Sequence, residues 1–164
     1  ATTARRMRGR RAAMKAFTTP AELATHTGGS LRTSDWLSVD QPMIDAFAEA
    51  TGDRQWIHVD VERARRELAG GSTIAHGYLL LALLPRLEKT IWTIELRSRG
   101  LNYGLDRVRF VSPVQAGVRV RLHQTLRRAE AVPRGTRFVL ENTLEIEGHD
   151  RPALVADTIA LVYD

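Results

Sequence analysis

Residues 74–84 read IAHGYLLLALL, and from Tyr78 to Leu84 no charged or amide side chain interrupts the run. A helix lying on a protein surface shows a polar face every turn; this one has none, so protein must wrap it. The run is also too short to cross a bilayer, which takes roughly 20 apolar residues, so it predicts a buried helix and no membrane association. Pro85 should kink or divide that helix, because it lacks the N–H that the ladder needs.

Beyond the helix the hydrophobic period changes to two. In VRVRLH, Val118, Val120 and Leu122 alternate with Arg119, Arg121 and His123. RFVLENTLEIE sets Phe138, Leu140, Leu144 and Ile146 on one face, ALVADTIALVY is apolar on both, and LNYGLDRVRF reads as a further strand. Turn residues at 133–135 and 148–152 separate the last three of these along the chain. A wholly apolar helix followed by long antiparallel strands predicts an α+β layering, with a curved sheet wrapped around the helix.

The upstream half reads as short elements. TPAELATHTGG suits a helix stopped by Gly28 and Gly29, and SLRTSDWLSVD suits a strand. QPMIDAFAEATG carries Met43, Ile44, Phe47 and Ala48 on one face, with Asp40 placed to cap its start, Pro42 in its first turn and Gly52 ending it. VDVERARREL reads as a surface helix with Glu62 and Arg66 spaced for an i,i+4 pair.

At 164 residues the chain predicts one domain, placed at 16–164. The net charge of +5 is not spread over it: residues 1–15 hold six of the 24 basic residues and no acid, which leaves 18 basic against 19 acidic residues. Those first fifteen residues read as a basic, disordered extension, and the domain itself carries no signature of a nucleic-acid partner. There is no cysteine, which excludes disulfides, thiolate metal sites and a cysteine nucleophile, and suits a cytoplasmic protein.

Chemistry concentrates in two places. In ATGDRQWIH, Asp53 and His58 follow Gly52 five positions apart, and on a continuous helix they would point in different directions. Freed by a loop, the pair could converge as an acid/base couple, or either side chain could simply tie the loop. In IAHG, His76 and Gly77 open the buried helix, where unpaired N–H groups suit a developing oxyanion and glycine admits a close ligand; packing against the sheet is the alternative role.

Taken together, FAEATGDRQWIHVD, GSTIAHGYLL and VRFVSPV resemble the MaoC-like dehydratases, the (R)-specific enoyl-CoA hydratases, in the branch related to nodulation protein N. The resemblance extends from about Ser34 to the C-terminus and implies a hot-dog fold. It implies Asp53 and His58 as the catalytic pair, Gly77 as the donor to the thioester oxygen, and Gln55 and His76 as substrate-binding residues. Gln55 stands where the family has asparagine, and Trp56 where it has proline; Pro85 falls where some members carry a serine, so that role is unassigned. The activity implied is reversible addition of water to trans-2-enoyl-CoA, with coenzyme A thioester as substrate, no cofactor and no metal. A thioesterase of the same fold and a non-catalytic acyl-CoA-binding module are the alternatives. Against the first, 74–87 contains no acid, and Glu88 arrives only at the far end. A set of His58, Asp60 and His76 lacks recognised metal-ligand spacing. Exposed sheet edges imply a homodimer.

Overall fold

The computed structural model describes residues 14–164. The basic extension thus lies outside the described residues except for Met14 and Lys15, and Lys15 stands in the first strand, β1 (Lys15–Phe17). β1 pairs in parallel with β3 (Trp92–Ile94). The main sheet is antiparallel and has five strands in the order β2 (Leu37–Val39), β5 (Val118–Val132), β6 (Gly135–Ile146), β7 (Leu154–Tyr163) and β4 (Arg99–Phe110). The four long strands fall on the four segments that read as strands in the sequence.

The helices begin and end where local chemistry directs. Thr19 caps α1 (Pro20–Ala24). Asp40 Oδ1 accepts from Met43 N at 3.0 Å to open α2 (Gln41–Thr51), and Gly52, in the left-handed region at φ 77°, closes it. α3 (Trp56–Val59) and α4 (Val61–Glu67) follow, then α5 (Gly77–Ala82) and α6 (Leu84–Glu88), divided next to Pro85.

Four expectations need correction. The strand read from SLRTSDWLSVD shrinks to β2; ahead of it the chain meets β5 only at intervals, and Ser34 Oγ takes the Leu122 N–H at 2.8 Å. Glu62 pairs with Arg65, not Arg66, and Arg63 pairs with Glu67. The buried helix starts at Gly77, because the N–H groups of Ile74 and Ala75 are already bonded to Ile57 O and Val114 O. Nor is it wrapped on all sides. Leu79, Leu80, Leu83, Leu84 and Leu87 pack against Leu122, Leu126, Leu140 and Leu144 of the sheet, but Tyr78, Ala82 and Pro85 are exposed on the opposite flank. A sheet curved around a central helix, with short helices closing one end, is the hot-dog fold.

Candidate active site

The first active-site segment hangs between two helices. Gly52 turns the chain out of α2, residues 53–55 run free, and α3 then carries His58 inward until it is 7 % exposed. His58 is therefore on a short helix and Asp53 is in the loop before it, and that break in geometry lets groups five apart face one another. Within the loop Asp53 N donates to Thr51 Oγ1 at 3.4 Å, and Asp53 Oδ1 accepts from Gln55 N at 3.5 Å. The Asp53 side chain stays exposed.

The second segment meets the first across the start of α5. His76, 2 % exposed, is the residue before α5, and its ring stacks on that of His58 with centroids 3.8 Å apart and an interplanar angle of 25°. Phe47 of α2 covers the other side of the His76 ring at 4.9 Å. Backbone carbonyls set both tautomers, since a carbonyl only accepts. His58 donates from Nδ1 to Ile74 O at 2.7 Å, and its Nε2 has no hydrogen-bond partner among the described residues. His76 donates from Nε2 to Asp53 O at 2.9 Å, which leaves a buried Nδ1 without a partner among the described residues. The loop that bears Asp53 is thus pinned by the histidine that stacks on His58.

Ligating atoms of Asp53, His58 and His76 all lie within 4.8 Å of one another. Such a trio could hold a divalent cation. Asp60 is elsewhere: its carboxylate accepts from Arg63 N at 2.9 Å and caps α4. Gly77 follows His76, and as the first residue of α5 its N–H has no acceptor within the helix. A Cβ there would sit 3.0 Å from Phe110 Cδ1, so the backbone is approachable only because the residue is glycine. Gln55 is exposed at the start of α3 and makes no capping bond with its side chain.

Two contributors are absent from the sequence reading. Gln41 donates from Nε2 to His58 O and to Asp45 Oδ1, each at 2.8 Å, while its Oε1 accepts from Thr73 Oγ1; it clamps α3 to the segment before α5. No local signal marks it, since glutamine in a first helical turn is unremarkable. Phe110 is the other: VRFVSPV includes it, but its place against Gly77 shows only in the packing of β4.

A sheet around a central helix, with a carboxylate and two histidines gathered at the helix start, defines a class of small α+β proteins. Comparison with known proteins makes it specific. The MaoC-like domain family matches residues 22–146. The 3-hydroxyacyl-thioester dehydratase Z of Mycobacterium tuberculosis is 45% identical over 149 residues, covering 89% of this chain and 97% of that protein. Nodulation protein N of Rhizobium leguminosarum bv. viciae is 46% identical over 146 residues, covering 87% and 89%. The solved structure of R-hydratase PhaJ1 from Pseudomonas aeruginosa superposes with a TM-score of 0.71 at 20% identity, over 89% of this chain and 86% of that one, a likeness of fold. The chain belongs to the MaoC-like family.

Proposed function

We propose that this protein is an (R)-specific enoyl-CoA hydratase, a hydro-lyase that adds water reversibly to trans-2-enoyl-CoA to give (R)-3-hydroxyacyl-CoA. The observation that carries this reading is the convergence of Asp53, His58 and His76 within 4.8 Å beside the first N–H of α5. The names of the dehydratase Z and R-hydratase relatives agree with it.

In the hydration direction the thioester oxygen accepts from Gly77 N–H, which meets the charge that develops as the enolate forms. His58 Nε2 takes a proton from a water as the water's oxygen bonds to the β-carbon. The α-carbon receives its proton from Asp53, and the proton that His58 has taken returns to Asp53 through solvent before the next turnover. Dehydration runs the same steps backwards. Gln55 offers its amide to water or substrate at the mouth of the site, and His76 holds the Asp53 loop in place. The residues suffice without a cofactor or metal, and the reading includes a cytoplasmic enzyme of acyl-CoA metabolism.

The same reading includes a homodimer. β4 is an edge strand, and Leu101, Tyr103, Leu105 and Phe110 on it are all exposed, as is Tyr78 of α5 beside it. Pairing of that edge with a second copy would cover both the strand and the open flank of α5. Sedimentation of a monomer at micromolar concentration would overturn this part.

The deciding experiment is turnover of trans-2-enoyl-CoA esters of graded length, followed by loss of the conjugated thioester's ultraviolet absorbance and by chiral analysis. The (R)-3-hydroxyacyl product is expected. An (S)-product, or release of free thiol without hydration, would overturn the assignment.

A further inference from the structure

A cavity of about 420 Å³ runs along the open flank of α5 and α6, within the size range of small-ligand sites. It begins at Tyr78, the neighbour of Gly77, and ends at Glu88, roughly 15 Å away at about 1.5 Å per helical residue. Leu81, Leu84, Leu105 and Ile159 wall its length.

Its far end is polar, and the polarity breaks the sheet's own pattern. On β5 the inward phase runs Val120, Leu122, Gln124, Leu126, and on β6 it runs Phe138, Leu140, Asn142, Leu144; Gln124 and Asn142 are register partners. Both are at least 98 % buried. Trp92 Nε1 donates to Gln124 Oε1 at 2.9 Å, and Gln124 Nε2 donates to Asn142 Oδ1 at 2.9 Å and to Glu88 Oε2 at 2.7 Å. Asn142 Nδ2 donates to Thr158 Oγ1 at 2.9 Å.

The network leaves two groups over, and both line the cavity. Among the described residues Glu88 Oε1 has no hydrogen-bond partner, and the Thr158 hydroxyl, which accepts from Asn142, can donate only to Leu140 O at a distant 3.5 Å. Gln124 and Asn142 are buried under the apolar helix, which is unfavourable for polar groups unless they are paired, and Glu88 and Thr158 stand half-buried beside them. A chain that needed only an apolar acyl slot would gain nothing from them.

We propose that the acyl chain of the thioester lies along this cavity and that Glu88 and Thr158 at its far end select chains carrying a hydroxyl group remote from the reacting carbons. This deepens the hydratase reading and rests on it. A hydroxyl both donates and accepts, so it can satisfy a carboxyl and a threonine hydroxyl together. A cationic chain end fits less well. Burial raises the Glu88 carboxyl above its ordinary range, which favours the neutral form, against the hydrogen bond from Gln124 and the positive charges of Arg97 and Lys89, which act to lower it.

The test compares trans-2-enoyl-CoA esters from hexenoyl to tetradecenoyl, each with its ω-hydroxy counterpart. At the length that reaches Glu88, kcat/KM for the hydroxylated ester should exceed that for the plain one by about threefold to tenfold, the worth of one or two net hydrogen bonds. Glu88→Leu and Thr158→Val should each bring that ratio to one or below. Equal or lower kcat/KM for the hydroxylated ester at every length overturns the proposal, as does a Glu88→Leu protein whose ratio is unchanged. If no ester is turned over, the hydratase reading has failed. The pair is then compared by calorimetric binding of the saturated acyl-CoA esters, where preference for the hydroxylated ligand supports the cavity assignment and indifference overturns it.

Discussion

Replacing Asp53 by asparagine separates chemistry from structure at this site. The side chain is exposed, and its one contact inside the loop is the 3.5 Å approach of Gln55 N to Oδ1, which an asparagine oxygen can also accept. The bond that pins the loop comes from His76 to the main-chain carbonyl of Asp53 and is untouched by the substitution. Stability should therefore change by no more than about 0.5 kcal/mol, the usual range for an exposed position. The amide can neither carry nor pass on the α-proton. Loss of a positioned acid/base group lowers kcat by about 10²–10⁴-fold, equivalent to roughly 3–5 kcal/mol in the barrier. Hydration of trans-2-butenoyl-CoA, followed by absorbance at saturating substrate, gives kcat, and a thermal melt on the same sample gives stability. An Asp53→Asn enzyme with kcat within threefold of the parent refutes the role. A rate loss that tracks a lowered melting temperature refutes the claim that it is chemical.

Gly77→Ala would drive a Cβ to 3.0 Å from the half-exposed Phe110 ring, so ring or backbone must shift beside the Gly77 N–H. About a tenfold fall in kcat/KM is expected from a displaced oxyanion donor, partly restored by Phe110→Ala, and unchanged kinetics would remove Gly77 from the site. His76→Phe keeps the ring between Phe47 and His58 but deletes the bond to Asp53 O; a loss of about 1 kcal/mol in urea unfolding is expected, with kcat lowered and KM little changed. On the outer face of the sheet, hydrogen bonds from Arg121, then His123, hold the Glu145 carboxyl below its ordinary 4.5, and Arg119 does the same for Glu147. A depressed carboxylate stabilises the fold above its unfolded pKa, and that contribution disappears as pH falls through the folded value. The urea midpoint should thus drop below about pH 4.5, less steeply in Glu145→Gln; a midpoint that rises on acidification contradicts the pairing. Dialysis against a chelator should leave the hydration rate unchanged, whereas loss of activity restored by zinc would make Asp53, His58 and His76 a metal centre.

Much of this protein is legible one segment at a time. Periods of two mark β5 and β6, Asp40 and Gly52 bound α2, and Pro85 divides the central helix, because alternation, caps and a missing N–H act over a few residues wherever the chain goes. Asp53, His58 and Gly77 stand out by residue type and spacing. So, with attention to phase, do Gln124 and Asn142, two amides on the inward side of otherwise apolar strands. Partners are a different matter. That His76 rather than Asp60 completes the trio follows from Asp60 capping α4, while His76 reaches back 23 positions to the Asp53 carbonyl. An unbroken apolar run specifies a helix that must be covered, but not by what: the sheet covers one flank, and the other faces a cavity and the exposed side chains of β4. The sequence by itself determined the long elements and singled out the candidate groups, which depend on neighbours along the chain. Only the tertiary structure decided which groups meet, because a contact between distant residues is set by the register and packing of every segment between them.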